Sequence, residues 1–291
     1  MATSTGNFVC DNSSLANFKN WAQAISNAFA AMGWTQTTDT GQVNWGSIAS
    51  VPSSTYVYEV WKAADGLAAT LPIFIKMEYG FSGTQVGVRV TVGTSSNGSG
   101  TITGAVANGF SAQLITNNAN FNSNQGATTF PCYFSGTAGE FRMLMWLNGA
   151  ATPFLFCIER SKDATGANTA DYFTIVWCSS AMRQQTITSA LTVTTFETQV
   201  MGFTGSANNG TGAFGGTVAA FPLFPLIGKL GNPMIGVMAV IASDVADATS
   251  VTVASMYGST HTYISAKTGG VFQRFAQVFN GVSNAVLMRY E

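Results

Sequence analysis

The chain has 291 residues, of which 46% are apolar and only 9% are charged, against roughly 25% in a typical soluble domain. So much apolar content excludes a disordered chain. The formal net charge is −1, and the twelve basic residues are scattered singly from Lys19 to Arg289, which argues against direct nucleic-acid binding. A scarcity of charge is typical of subunits that are covered by neighbours, because a lone charge is costly to bury in an interface. The alternative is a secreted β-protein with a polar, uncharged surface.

The N-terminal residues 1–8 lack the basic start and apolar stretch of a signal peptide. The most apolar stretch, 221–242, is interrupted by three prolines and Lys229, whereas a membrane helix needs about 20 unbroken apolar residues. We therefore expect a protein that is made in a cytoplasm and is neither secreted by the usual route nor inserted in a membrane.

One amphipathic helix is predicted near the N-terminus. Apolar side chains recur there with the spacing of one helix face: Leu15, Phe18, Ala22, Ile25, Phe29 and Met32. Residues 12–14 supply candidates for the N-cap, Gly33 follows as a stop signal, and Trp21 flanks the apolar face. The helix either packs on the β-domain or docks on a partner as an oligomer seam.

From about residue 51 the apolar pattern changes to period two, which is typical of strands with one face in a core. The clearest alternations lie at 73–79, 86–92, 141–147, 154–158 and 173–177. Later candidate strands lie at 185–193, 235–241, 250–256, 260–265 and 285–290. Two alternating runs flank Asn148-Gly149, which predicts a β-hairpin, and a turn is predicted at 162–166.

Polar connections rich in Gly and Asn separate these strands, most clearly at 94–104, 117–126 and 205–216. Many short strands with frequent turns predict a mainly β fold: a β-sandwich or jelly-roll-like set of antiparallel sheets with one N-terminal amphipathic helix. Three portions are expected: a helix and lead-in packed on the β-domain (1–50), the main β-sandwich (51–204), and a β-rich C-terminal portion in the same or a separate domain (205–291).

Residue types that carry catalysis or bind metals are sparse. Cys10, Cys132, Cys157 and Cys178 are far apart in the sequence, and a single histidine argues against a Cys/His zinc site, so we expect free thiols. That histidine, His261, has no acidic residue near it in sequence and is interpreted as structural. The sequence therefore predicts no enzymatic activity, no cofactor and no metal site.

Carboxylate pairs keep two alternatives open, a hydrolase and a calcium site. Asp244 and Asp247 lie near the end of an apolar run, and Asp163 and Asp171 flank a predicted turn. Spacings of this kind also arise easily in ordinary loops.

The densest group of charges follows the predicted hairpin. Glu159 and Arg160 are adjacent there, and Lys162 and Asp163 come directly after them. In so charge-poor a chain, Glu159 and Arg160 are candidates for setting a turn or forming a salt bridge between subunits. The alternative is a solvated loop corner, where an ion pair contributes at most about 1 kcal/mol.

Two tryptophans, Trp21 and Trp45, are further candidates for interaction with a partner. Trp45, together with Trp61, could stack on a sugar ring of a host-surface glycan. Placement in a core is the simpler interpretation, because large aromatic side chains contribute most when they are buried.

Several segments resemble a group of phage virion structural proteins: 32–34 at the end of the predicted helix, 56–62 (YVYEVWK), 73–80 (IFIKMEYG), 90–94 (VTVGT) and 157–166 (CIERSKDATG). The resemblance spans roughly the first two thirds of the chain. It implies a virion component of the tail, the baseplate or the head decoration, and it brings no enzymatic motif.

We therefore expect a non-enzymatic structural component of a phage virion, made in the host cytoplasm. It would assemble with copies of itself and with other virion proteins through charge-poor β-sandwich faces and Gly/Asn-rich loops. The alternative is a receptor- or carbohydrate-binding tail module that contacts a host-surface glycan.

Overall fold

The structure, a computed structural model, describes residues 1–9, 14–52, 55–82, 85–107, 129–146, 153–178, 182–197, 220–222, 226–227, 229–230, 234–241, 248–255, 257–267 and 284–291. Within these ranges the chain forms one α-helix and 20 β-strands. Every strand pair is antiparallel. The predicted mainly β fold with a single N-terminal helix is confirmed.

The first half of the chain contributes β1 (Ala2–Phe8), α1 (Leu15–Ala31), β2 (Thr35–Gln36), β3 (Tyr56–Lys62), β4 (Phe74–Ser82), β5 (Gln85–Gly93), β6 (Ser95–Ser96), β7 (Ile102–Thr103), β8 (Phe130–Thr137) and β9 (Glu140–Trp146). The second half contributes β10 (Pro153–Lys162), β11 (Asn168–Cys178), β12 (Met182–Thr188), β13 (Val193–Glu197), β14 (Ala220–Pro222), β15 (Leu226–Ile227), β16 (Lys229–Leu230), β17 (Val237–Ile241), β18 (Ser250–Ala254), β19 (Thr260–Lys267) and β20 (Asn284–Arg289).

These strands form three larger sheets and two small ribbons. The seven-stranded sheet has the order β1-β8-β9-β10-β11-β12-β13, the four-stranded sheet β2-β3-β4-β5, and the five-stranded sheet β14-β17-β20-β19-β18. The ribbons pair β6 with β7 and β15 with β16. Strands β8 to β13 follow one another in sequence order, so the seven-stranded sheet is a meander to which the N-terminal strand adds one edge.

Helix α1 begins and ends where the sequence predicts. The Ser14 side chain accepts a hydrogen bond from the Asn17 amide at 3.4 Å, and Gly33 beyond the helix has a positive φ of 86°. Phe18, Trp21 and Phe29 on the apolar face are fully buried within the chain. Through these residues the helix packs against the β-sheets.

The main core lies between α1, the inner face of the four-stranded sheet and one face of the seven-stranded sheet. The four-stranded sheet contributes Ile75 and Met77 from alternate positions of β4, as the period-two pattern predicts. The Phe29 ring from α1 is stacked on Phe141 of β9, with 3.7 Å between the ring centroids, and on Trp61 of β3 at 5.4 Å. The helix therefore joins the two sheets.

A second core lies on the opposite face of the seven-stranded sheet. Leu155, Cys157 and Val176 from that sheet pack there with residues of the five-stranded sheet such as Val237 and Met288. The seven-stranded sheet is therefore a central layer that is buried on both sides. Cys157 in the second core is a free thiol, as predicted, and Cys132 is buried in the main core, whereas Cys10 and the side chain of Cys178 lie outside what the structure describes.

The predicted hairpin strands are confirmed, since β9 and β10 pair from Phe141↔Ile158 to Trp146↔Pro153. The turn at Asn148-Gly149, the loops at 117–126 and 205–216, and the expected boundary near residue 205 lie outside the described residues. In the part of the chain that the structure describes, no helix has the length and hydropathy needed to cross a membrane.

Candidate functional site: a buried charge network

The strand pair β9–β10 carries charged residues where two protein layers meet. Along β9, Phe141 and Met143 point into the main core, and the alternate residues Glu140 and Arg142 therefore lie on the opposite face. On β10 the same alternation directs Glu159 towards the five-stranded sheet. All of these side chains are buried.

A β-bulge brings a fourth charge to the same face. The register between β10 and β11 shifts between Arg160 and Lys162. Without this shift Lys162 would share the face of Arg160, but one extra residue in the strand reverses the alternation. The Lys162 side chain consequently lies beside Glu140 and Glu159.

We call Glu140, Arg142, Glu159 and Lys162 the charge network. Arg142 Nη2 lies 2.6 Å from Glu140 Oε2 and 3.8 Å from Glu159 Oε2. Lys162 Nζ forms an ion pair with Glu140 Oε1 and lies 3.4 Å from Glu159 Oε1. No side chain of the four is more than 4% exposed. Each cation therefore contacts both carboxylates, and the four charges balance in a site that excludes water.

The charge network also binds the five-stranded sheet. The amides of Ile235 and Gly236, which lead into β17, donate to the Glu159 carboxylate at 3.0 and 2.6 Å. The Tyr263 hydroxyl of β19 donates to the Ile235 carbonyl at 2.8 Å, which fixes the same segment from the other side. Glu159 therefore fastens the five-stranded sheet to the central layer.

Gly236 is required for this close approach, and its replacement by alanine tests the contact. A Cβ atom there would lie 2.3 Å from Glu159 Oε2 and 2.5 Å from Arg142 Nε. We expect Gly236→Ala to lower the free energy of unfolding by about 3 kcal/mol, because the amide would be displaced from a buried carboxylate. Urea unfolding measures the change.

Gly66→Ala is the matched control, since a Cβ atom at Gly66 would meet nothing within 4 Å. It should change the free energy of unfolding by less than about 0.5 kcal/mol. Equal effects of the two substitutions would contradict the role assigned to Gly236.

The electrostatics of the charge network favour a structural role. Burial tends to raise the pKa of Glu140, but Arg142 and Lys162 outweigh it and lower the pKa from 4.5 to about 2. A carboxyl group with so low a pKa stays ionised at neutral pH and is poorly suited to donate a proton. Burial also raises the pKa of the Cys157 thiol beside it, which disfavours the reactive thiolate.

The lowered pKa of Glu140 predicts a pH dependence of stability. A carboxylate whose pKa is lower in the folded state stabilises the fold above the unfolded-state pKa, and this contribution is lost as the pH falls. We expect the free energy of unfolding to decrease between about pH 4.5 and pH 2. In Glu140→Gln this dependence should be shallower, although other carboxylates with lowered pKa, such as Asp39, keep part of it. Urea midpoints over a pH series measure both slopes, and identical slopes would contradict the prediction.

Arg160 takes part in a separate contact on the other face of the sheet. Its Nη2 donates to Asp65 Oδ1 at 2.8 Å, and its Nη1 donates to the Leu71 carbonyl at 2.9 Å. Both partners lie in the segment between β3 and β4. Arg160 therefore fastens the four-stranded sheet unit to the central layer, as Glu159 fastens the five-stranded sheet.

The sequence-based expectations for Glu159, Arg160 and Trp21 require correction. Glu159 and Arg160 are each 1% exposed and Trp21 is fully buried, so none of them can contact another molecule directly. Glu159 and Arg160 lie in a strand, and the solvated loop corner is wrong for them because the sheet is covered on both faces. Of the four charged residues at 159–163, only Asp163 lies in the turn between β10 and β11, where its side chain accepts hydrogen bonds from the amides of Thr165 and Ala167.

Trp45 is half-buried and packs against the main core, as does the fully enclosed Trp61. Its indole Nε1 donates to Glu59 Oε1 at 2.9 Å, and its ring lies edge-on to Tyr79 with 5.5 Å between centroids. These contacts hold the Trp45 ring against the main core. Trp45 and Trp61 thus contribute to packing.

Glu59 is a second buried polar centre, and the sequence gives no sign of it. Its carboxylate is 1% exposed and accepts from Ser26 Oγ at 2.8 Å and from Tyr79 Oη at 3.1 Å, in addition to Trp45. Trp61 Nε1 completes the set at 3.4 Å. Glu59 therefore ties α1, β3, β4 and the segment before β3 together.

The remaining candidate residues do not converge on one site. His261 Nε2 lies 2.8 Å from Ser259 Oγ, and burial, followed by Arg289, lowers the pKa of His261. Asp171 accepts a hydrogen bond from the Thr169 hydroxyl and does not take part in the turn that holds Asp163. Asp244 and Asp247 lie outside the described residues. Within the described ranges, no group of three or more His, Cys, Asp or Glu side chains could hold a metal ion.

Comparison with known proteins does not identify a family: no family model and no curated protein matches this chain.

Proposed function

We propose that the chain is a non-enzymatic structural component of a phage virion that assembles with copies of itself and with other virion proteins. The observation that carries this proposal is where the chain places its few charges. The resemblance of segments 56–62 and 157–166 to virion structural proteins supports the phage context.

Seven charged residues of the described part are buried: Asp39, Glu59, Glu140, Arg142, Glu159, Arg160 and Lys162. The chain has only twelve basic and thirteen acidic residues in all, so its surface is poorer in charge than its composition indicates. Free monomers usually stay soluble through mixed surface charge. A surface built from uncharged polar groups instead fits faces that neighbouring subunits cover.

The internal contacts support a rigid building block. Arg160 joins the central sheet to the four-stranded unit through Asp65, and Glu159 joins it to the five-stranded sheet through Ile235 and Gly236. Buried ionic contacts of this kind fix the relative position of layers, because breaking one leaves an unpaired charge away from water. A subunit with fixed layers can repeat the same contacts many times in a particle.

The proposal is tested by the solution mass of the full chain over a range of concentrations. We expect an oligomer or a larger particle whose interfaces each bury more than about 1,000 Å². Because these interfaces would contain few charges, raising the salt to about 1 M should not dissociate them. A monomer at every concentration would contradict the proposal, and dissociation by salt would contradict the charge-poor interface.

A further inference from the structure

The outer face of the four-stranded sheet differs from the rest of this charge-poor chain. Its inner residues, such as Ile75 and Val90, are buried in the main core, whereas the alternate residues point outwards. Six of these outer residues are basic or aromatic: Tyr56, Tyr58, Lys62, Phe74, Lys76 and Arg89. We call them the cation–aromatic face; all six are partly or fully exposed.

Each cation of this face lies over one aromatic ring. The distance to the ring centroid is 5.6 Å from Lys62 Nζ to Phe74 and 4.6 Å from Lys76 Nζ to Tyr58. Arg89 Cζ lies 3.8 Å from the centroid of Tyr56. Such contacts hold the long side chains in place before a ligand arrives. Binding therefore costs less side-chain conformational entropy.

A glycine makes the closest of these contacts possible. Arg89 on β5 and Tyr56 on β3 are separated by β4, where Gly80 pairs with both Tyr56 and Gly87. A residue with a side chain at Gly80 would crowd Tyr56, since a Cβ atom would lie 3.1 Å from its ring. The gap over Gly80 lets the guanidinium group reach across the sheet.

The charge on this face is unbalanced. Glu78 is its one acidic residue, and it pairs with Lys76 at 3.2 Å. In the described part of the chain, no carboxylate lies within ion-pair distance of Lys62 or Arg89, and Arg89 Nε has no hydrogen-bond partner although it is shielded from solvent. A chain of net charge −1 therefore carries a local surplus of positive charge that its own described residues leave unneutralised.

We propose that the cation–aromatic face binds an anionic polysaccharide, with its sugar carboxylates paired to Lys62, Lys76 and Arg89. The face extends along β3 from Tyr56 to Lys62, roughly 20 Å, which suits a short stretch of an extended polymer chain. This inference goes beyond assembly into a particle and does not depend on it.

Charge complementarity alone would also admit a nucleic acid, but the geometry favours a polysaccharide. Proteins that bind single-stranded nucleic acids stack the bases on the free faces of aromatic side chains. Here Lys76 and Arg89 already cover the rings of Tyr58 and Tyr56. Glu78 can accept hydrogen bonds from the free hydroxyl groups that a polysaccharide carries along its chain.

The experiment is titration of the full chain with an oligogalacturonate, a neutral maltooligosaccharide and an oligothymidylate. We expect binding of the oligogalacturonate that weakens with salt, and no comparable binding of the other two. The double variant Lys76→Gln/Arg89→Gln should lose about tenfold in affinity or more. The matched control Lys19→Gln, on α1 and away from the face, should stay within about twofold of the unmodified chain.

A gain of affinity separates binding from damage to the fold. Glu78→Gln removes the one negative charge of the face and keeps an acceptor oxygen, so it should raise the affinity for the oligogalacturonate. Thermal unfolding checks that the double variant is folded. The proposal is overturned if the oligogalacturonate does not bind, if the double variant binds it as the unmodified chain does, or if the oligothymidylate binds equally well. None of these outcomes bears on the solution mass that tests assembly.

Discussion

Replacement of Glu159 by alanine is expected to lower the free energy of unfolding by about 3–5 kcal/mol, the range found when one partner of a buried ion pair is removed. The substitution would take one of two carboxylates from Arg142 and Lys162. It would also leave the amides of Ile235 and Gly236 without their acceptor. Glu159→Gln keeps an acceptor oxygen and loses the charge, so its effect should be intermediate.

Asp171→Ala provides the matched control on the neighbouring strand. Asp171 is exposed and its side chain binds only the hydroxyl of Thr169 among the contacts described. We expect a change of less than about 0.5 kcal/mol in urea unfolding. If Glu159→Ala were as mild as Asp171→Ala, the charge network would not fasten the five-stranded sheet.

Replacement of Glu59, which lies in the main core, by alanine is expected to lower the free energy of unfolding by about 3 kcal/mol or more. Four buried or half-buried donors, from Ser26, Trp45, Trp61 and Tyr79, converge on this carboxylate. Each donor that loses its partner away from water costs about 1–3 kcal/mol. The free energy of unfolding and the fluorescence of the two tryptophans should change together.

Glu78→Ala is the control for this prediction, since Glu78 lies on the adjacent strand β4 and pairs with Lys76 near the surface. Partly exposed ion pairs contribute at most about 1 kcal/mol, so its loss should be small. Similar losses of stability in Glu78→Ala and Glu59→Ala would show that Glu59 is not a centre of the main core.

Local patterns in the sequence account for much of the fold. The apolar spacing of Phe18, Ile25 and Phe29 and the flanking Ser14 and Gly33 predict the helix and both its ends. Alternation predicts the hairpin of β9 and β10, because that pattern reports one buried face for each strand. Both signals depend only on residues that are close in sequence.

The buried charges could not be predicted in the same way. Adjacent residues of a strand point to opposite faces, so Glu159 and Arg160 enter different layers although they look like one cluster. Their partners Arg142 and Asp65 are distant in sequence, and the bulge that redirects Lys162 has no sequence signature here. Alternation of charged and apolar residues ordinarily indicates that the charged face is solvated. Here the five-stranded sheet covers the charged face of the seven-stranded sheet.

The cation–aromatic face cannot be predicted from the sequence for a related reason. Lys62, Lys76 and Arg89 are spaced along the chain and look scattered, but the pairing of β3, β4 and β5 brings them to one side of a sheet. Each strand contributes a single cation. A charge cluster of this kind exists only after the register of the strands is known.

Electron cryomicroscopy of particles purified from the source that encodes this chain is the sharpest test of the proposed virion role. We expect density for the chain at repeated positions, with charge-poor faces buried between neighbouring subunits and the three sheets arranged as described. Absence of the chain from purified particles would contradict the proposed function.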